Sequence, residues 1–124
     1  MITLSHATVG SNQLTNAKAF YDALFQPFGI VSVFEHPSGG RIYGKDGVPM
    51  FGVLGPYDKR PATAGNGSMV AFKCDTRDEV QIMYDKARAL GGKDDGAPGE
   101  RGPNAYFAYF RDLDGNKLCA YRIA

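Results

Sequence analysis

Charge of one sign, long apolar runs and cysteine are all scarce in this sequence of 124 residues. The 14 basic residues nearly balance the 13 acidic ones, and neither kind forms a run. Bulk electrostatics therefore gives no reason to expect binding to nucleic acid or to an anionic membrane surface. No apolar stretch approaches the roughly 20 residues that a membrane-spanning helix needs. The partner that we expect is a small molecule, bound at a local site.

The N-terminal segment and the cysteines both indicate a reducing compartment. Residues 1–4 lack the charged start and apolar block of a secretory signal, so we expect a cytoplasmic protein. Cys74 and Cys119 have neither CxxC spacing nor a secretory context. Cysteines of this kind are usually reduced and partly buried. We therefore predict two free thiols rather than a disulfide.

The order of strand and helix patterns repeats along the chain. The first half predicts a strand, a helix and three strands at residues 2–9, 14–25, 29–35, 40–45 and 49–54. The second half predicts the same order, with a strand at 68–74, a helix from Thr76 to Leu90, a short piece near Lys93, and strands at 105–111 and 117–123. The chain is long enough for a single domain with a real core. The pattern is an internal duplication, and it predicts the α+β class with two βαβββ modules.

Capping and breaking residues set the expected helix ends. Ser11, Asn12, Thr15 and Asn16 offer capping groups for the first helix, and Pro27 follows its last apolar residues. In the second half, Thr76 and Glu79 have the spacing of a capping box. The glycine pair at residues 91–92 ends that helix.

Two segments rich in glycine and proline predict loops. Residues 55–67 are interpreted as a linker between the modules. Residues 96–103 contain so much glycine and proline that we expect a loop over the mouth of a pocket rather than a helix or a central strand. Neither segment matches a phosphate-binding fingerprint, which excludes a nucleotide site of that type.

The C-terminal stretch from Phe110 to Tyr121 predicts a hairpin. Asp112, Asp114, Gly115 and Asn116 are typical turn residues, and they separate two runs of apolar and aromatic residues. An EF-hand loop would need glycine at its sixth position and an acidic residue at its twelfth, and neither is present. The turn is therefore not interpreted as a calcium site.

Five motifs in order resemble the vicinal oxygen chelate superfamily, which includes glyoxalase I, extradiol dioxygenases, and the bleomycin and fosfomycin resistance proteins. They are a first strand with His6, a helix with Ala19–Asp22, a strand with Met69–Phe72, a helix closing on Leu90–Gly92, and the turn Asp112–Asn116. The resemblance implies that the two modules form an open, cup-shaped mixed β-barrel with the helices outside. It also implies module one at about 1–56, a linker at 57–66, module two at about 67–124, and a homodimer.

The resemblance places the family's metal ligands at His6, near residues 50–52, at Met69 and at Cys119. Metal-using members commonly carry a glutamate where this chain has Cys119 and a histidine where it has Met69. We therefore expect no metal cofactor. Two alternatives stay open: a copper(I) site made by the Cys, Met and His side chains, and a divalent zinc, nickel or iron site that uses His6 with other neighbours.

The expected ligand pocket combines aromatic rings with a few polar groups. The pocket residues that we predict are His6, Tyr43, Phe51, Met69, Arg101, Tyr106, Tyr109 and Cys119. Along the strand at 105–111, Tyr106 and Phe110 share one face, while Phe107 and Tyr109 share the other, and one of these faces must line the cup. Arg101, Arg41 and Tyr43 are candidates for holding an anionic or polar ligand group.

Two classes of function follow from these residues and the resemblance. The first is a protein that binds an aromatic or drug-like molecule without a metal, as the bleomycin-resistance branch does, and the missing metal ligands favour it. The second is an enzyme of the lactoylglutathione lyase or dioxygenase type, in which a metal polarises substrate oxygens. A third hypothesis, Cys119 as a nucleophile, has no flanking base to support it.

Overall fold

The computed structural model describes every residue from Met1 to Ala124. The chain divides into two compact units, Met1–Thr63 and Ala64–Ala124. The first unit contains β1 (Ala7–Gly10), α1 (Leu14–Phe25), β2 (Val31–Glu35), β3 (Arg41–Lys45) and β4 (Val48–Leu54). The second contains β5 (Val70–Lys73), α2 (Arg77–Ala89), β6 (Lys93–Glu100), β7 (Ala105–Arg111) and β8 (Lys117–Ile123). The predicted α+β class with two βαβββ modules is confirmed.

The two units have the same sheet topology. The strand orders are β1-β4-β3-β2 and β5-β8-β7-β6. In each sheet the first and last strands of the unit pair in parallel, and the other pairs are antiparallel. The duplication inferred from the sequence pattern is therefore also a duplication of topology.

Each unit packs its single helix on one side of its sheet. In the first unit, Tyr21 and Phe25 of α1 meet Tyr43 and Phe51 of the sheet, with ring centroids 4.9 Å apart for Tyr21 and Phe51. In the second, the apolar side of α2 carries Val80, Met83, Tyr84 and Ala87, which are all buried. The helices have 12 and 13 residues, and neither is long and apolar enough to cross a membrane.

The helix ends agree with the sequence at α2 and differ from it at α1. The Thr76 hydroxyl accepts from the Glu79 N–H while the Glu79 carboxylate accepts from the Thr76 N–H, so the predicted capping box is confirmed. At α1 the N-cap is Gln13, and no side chain caps it. The Ser11 hydroxyl instead accepts from the N–H of Gln13, the residue immediately before the helix.

The first strand is shorter than predicted. Regular structure begins at Ala7 and ends at Gly10, whereas the apolar pattern had favoured residues 2–9. The physical reason is pairing, because β1 has a partner only where Ala7 to Gly10 lie beside Phe51 to Leu54 of β4. His6 therefore lies just before the first strand rather than within it.

The prediction of a loop at residues 96–103 was wrong for its first half. Residues 96–100 belong to β6, which pairs with β7. This strand lies at the edge of its sheet, where proline and glycine are tolerated because one side of the strand needs no partner. Two irregularities in the β6–β7 register, on either side of Gly96, accommodate the unusual composition.

Candidate functional site

The two faces of the second sheet have different surroundings. On β7, the Phe110 ring contacts the Tyr84 ring of α2, and the Tyr106 ring lies under the Arg77 guanidinium of α2. Side chains alternate along a strand, so the residues between them point away from α2. We call this second side of the sheet the open face, and its central members are Phe107, Tyr109, Arg111, Lys117, Cys119 and Tyr121.

Three rings stack along the open face. The Phe107 and Tyr121 rings are 5.1 Å apart and 14° from parallel, and the Phe107 and Tyr109 rings are 6.0 Å apart and 19° from parallel. The stacking follows from register, because Phe107 lies directly opposite Tyr121 and two residues before Tyr109. All three side chains are only partly buried. We call this set, Tyr121, Phe107 and Tyr109, the aromatic ladder.

Cationic groups surround the Tyr109 end of the aromatic ladder. The Lys117 ammonium lies 5.1 Å from the centre of the Tyr109 ring, within the range of a cation–π interaction. Asp95 forms ion pairs with both Arg111, at 3.0 Å, and Lys117, at 3.5 Å. One carboxylate therefore serves two cations here, and the open face has a net positive local charge.

Arg101 lies on the same face in a space that two glycines leave. A Cβ atom at residue 99 would lie 2.8 Å from Nη1 of Arg101. A Cβ at residue 96 would lie 3.0 Å from the Tyr109 ring and 3.6 Å from Nη2 of Arg101. The guanidinium therefore lies across the edge strand, close to Tyr109, and it donates one hydrogen bond to the Ala97 carbonyl at 2.9 Å.

Cys119 lies in the middle of the open face, directly opposite Tyr109. Its side chain is completely buried among larger neighbours. Burial raises the pKa of the Cys119 thiol to about 11, since an apolar environment disfavours the thiolate. Cys74 is also free and buried, and burial raises its pKa to about 11 as well. Both thiols are therefore protonated at neutral pH, which makes them poor nucleophiles and poor metal ligands.

Alkylation measures this thiol chemistry directly. We expect iodoacetamide at neutral pH to modify the folded chain about 100-fold more slowly than the chain unfolded in urea, because the thiolate fraction falls about tenfold per pKa unit. Mass spectrometry of timed samples counts the adducts. Rapid addition of an adduct at Cys119 in the folded chain would contradict the raised pKa and revive the nucleophile hypothesis.

The family model of the glyoxalase/bleomycin resistance protein/dioxygenase superfamily matches residues 3–120. The chain belongs to this superfamily. It is also similar to the crystal structure of a glyoxalase/bleomycin resistance protein from Albidiferax ferrireducens, with 37% identity and a TM-score of 0.86. That match covers 96% of this chain and 97% of the other.

More distant solved structures share the fold. One is a genomically encoded fosfomycin resistance protein from Listeria monocytogenes, with 18% identity, a TM-score of 0.72, and 98% and 93% of the two chains covered. Another is a lactoylglutathione lyase from Agrobacterium tumefaciens, with 22% identity, a TM-score of 0.69, and 97% and 92% covered. Among curated proteins, no match to this chain was found.

The residues at the superfamily's metal positions do not fit a hard divalent ion. The second unit offers the Met69 thioether and the protonated Cys119 thiol, both soft donors, and the first offers His6. His6 is exposed, and its Nδ1 atom is 2.9 Å from the Ser5 hydroxyl. No group of three or more His, Cys, Asp or Glu side chains has a geometry that could hold a metal.

Three of the predicted pocket residues lie on the open face. Tyr109 lies directly opposite Cys119, and the Arg101 guanidinium lies near Tyr109 on the β6 side. Tyr106 lies on the opposite side of the same sheet, under Arg77. Met69 is exposed and comes directly before β5.

The candidate ligand-binding residues of the first unit are engaged in packing and ion pairs within that unit. Tyr43 and Phe51 are buried against α1, and the Tyr43 hydroxyl donates to an Asp22 carboxylate oxygen at 2.7 Å. Burial and this hydrogen bond raise the pKa of Tyr43. Arg41, which was a candidate for binding an anionic ligand group, forms ion pairs with Asp22 and Glu35. The hydrogen bond from Arg41 lowers the pKa of Glu35. The positive charge of Arg41 is therefore already compensated within the chain.

Phe107, Tyr121 and Lys117 were absent from the predicted pocket. The signal that could have found them is the length of the hairpin turn. If Arg111 pairs with Lys117 across the turn, then Tyr109 must lie opposite Cys119, and Phe107 opposite Tyr121. Counting outward from the turn thus groups the three rings on one face.

Proposed function

We propose that this superfamily member binds a planar aromatic small molecule on the open face of its second sheet, without using a metal ion. The observation that carries the proposal is the aromatic ladder, whose three rings are nearly parallel and only partly buried. Stacked rings that keep exposed surface favour another planar ring, because stacking removes apolar area from water on both partners. The wide range of solved structures that share the fold does not select one ligand.

The chemistry of the open face supports binding rather than catalysis by a metal. Its thiol is protonated at neutral pH, and its carboxylate, Asp95, forms ion pairs with Arg111 and Lys117. Neither group is arranged as a general base, which must reach the proton that it removes. The homodimer that the resemblance implies stays a prediction, and a divalent zinc, nickel or iron site stays the alternative to the metal-free interpretation.

A fluorescence titration tests the proposal with a neutral planar probe, 2-naphthamide. The chain contains no tryptophan, so the naphthalene emission can be followed without tryptophan background. We expect saturable binding that a chelator does not change. Replacing Phe107 with alanine should weaken binding about tenfold, because the central ring of the ladder is lost.

Tyr106→Ala is the matched control for this titration. It removes an aromatic ring from the same strand but from the side that faces α2, so probe affinity should stay within about twofold of the original. Absence of saturable binding to the unmodified chain would refute the proposal. Equal losses in Phe107→Ala and Tyr106→Ala would also refute it, since the site would then not be the open face.

A further inference from the structure

We infer that the ligand is an aromatic carboxylate and that Arg101 binds its carboxylate group while Tyr109 stacks on its ring. This inference rests on the proposed function, because it specifies the chemistry of the molecule that occupies the same face. The structure brings together an arginine without an acidic partner, a partly exposed ring near it, and glycines that leave room for both.

The charge of Arg101 is not compensated within the chain. Arg41, Arg77 and Arg111 each form an ion pair with a carboxylate, whereas the hydrogen bond of Arg101 goes to a neutral carbonyl. That bond uses Nη2, and a guanidinium has five N–H donors in one plane. A carboxylate is the acceptor that matches two of these donors at once.

The acidic residues of the edge strand do not compensate Arg101. Asp94 accepts from the Tyr84 hydroxyl of α2 at 2.8 Å, and Glu100 pairs with Arg77 of α2 at 3.0 Å. Both carboxylates are therefore engaged on the α2 side of the sheet. Asp95 is bound by Arg111 and Lys117. The open face is left with more positive than negative groups, which favours an anionic ligand.

The glycines of β6 form the space in which Arg101 lies beside Tyr109. Any side chain at residue 99 would collide with the guanidinium, and a Cβ at residue 96 would press on the Tyr109 ring. Gly96 also has a φ of +147°, a conformation that residues with side chains rarely adopt. The glycines of this strand thus leave room for the Arg101 guanidinium near the Tyr109 ring.

An aromatic carboxylate fits both neighbours simultaneously. Its ring can stack on Tyr109 at the end of the aromatic ladder by displacing the Lys117 ammonium from that ring, while the carboxylate in the ring plane reaches the adjacent guanidinium. A neutral amide of the same shape keeps the stacking, but its single uncharged carbonyl oxygen accepts a weaker hydrogen bond from the guanidinium than a carboxylate does. The inference therefore predicts a difference in affinity between two molecules that have the same ring system.

Paired titrations with 2-naphthoate and 2-naphthamide test this inference. We expect the unmodified chain to bind the carboxylate about tenfold more tightly than the amide, and increasing salt to reduce this preference. Arg101→Ala should abolish the preference, because affinity for 2-naphthoate should fall about tenfold more than affinity for 2-naphthamide. Gly99→Ala should reduce the preference as well, because its methyl group displaces the guanidinium without touching the rings.

Arg77→Ala is the matched control, since it removes an arginine that already has a carboxylate partner on the α2 side. It should keep the preference for 2-naphthoate. Equal affinity of the two probes for the unmodified chain would overturn the inference and leave the proposed function standing. A preference that survives Arg101→Ala, or that Lys117→Ala removes instead, would overturn the role of Arg101. Failure of both probes to bind would overturn the inference together with the proposed function.

Discussion

Replacing Phe110 with alanine is expected to lower the free energy of unfolding by about 3–5 kcal/mol. The Phe110 side chain is completely buried between the second sheet and α2, and its ring meets Tyr84 edge-on at 6.4 Å. Its neighbours in the sheet core, Ala108 and Leu118, are also fully buried and cannot all shift to fill the space. The variant should therefore leave a cavity, which urea denaturation measures as a lower transition midpoint with an unchanged slope.

The matched control for this change is Phe107→Ala, three residues earlier on the same strand. Phe107 lies on the open face and keeps part of its surface exposed, so we expect a loss of only about 1 kcal/mol from its stacking contacts. The difference in free energy of unfolding between Phe110→Ala and Phe107→Ala thus distinguishes a core residue from a residue of the open face. Similar losses for the two variants would contradict the assignment of the open face, and with it the basis of the proposed ligand site.

Replacing Asp112 with alanine is expected to lower the free energy of unfolding by about 2–4 kcal/mol. One carboxylate oxygen of Asp112 accepts from the N–H groups of Asp114 and Asn116, both at 2.9 Å. The other accepts from the side-chain amide of Asn116, also at 2.9 Å. Asp112 and Asn116 are each only 4% exposed, so water cannot easily replace these bonds. Chemical denaturation provides the measurement.

Asp58→Ala provides the control for the turn. The Asp58 carboxylate accepts from the N–H two residues later at 2.9 Å, as Asp112 does, but in an exposed loop. Removing it should change the free energy of unfolding by less than about 0.5 kcal/mol. An equally small loss for Asp112→Ala would show that burial of the Asp112 hydrogen bonds does not stabilise the chain.

Most of the fold follows from short-range sequence patterns. The helical spacing of apolar residues found both helices, and the strands at 105–111 and 117–123 have the predicted bounds. These elements are predictable because each one needs a buried face, which requires apolar residues at a regular spacing in the sequence. The two misjudged strands, β1 and β6, depend instead on which residues find a partner across the sheet. That pairing cannot be predicted from the composition of the strand alone.

The candidate site was predicted in part, for a related reason. Cys119 was predicted from the resemblance, Tyr109 from the alternation along the strand at 105–111, and Arg101 as a basic residue of the preceding segment. Phe51 was predicted from the resemblance and Tyr43 as a polar group of the first module, but both are buried against α1. An aromatic residue in a strand has the same sequence signature whether its ring faces a helix or the open side. Alternation defines two faces without saying which of them the helix covers.

The amino-acid sequence by itself determined the superfamily, the βαβββ repeat, the capping box of α2 and the terminal hairpin turn. These features rest on contacts between residues that are near in the chain, or on motifs in a fixed order. The tertiary structure alone decided which face of the second sheet is open, that three rings stack on it, and that Arg101 lies without an acidic partner beside Tyr109. Those facts depend on strand register and on which cations other carboxylates have already bound, and both are set only when distant segments pack together.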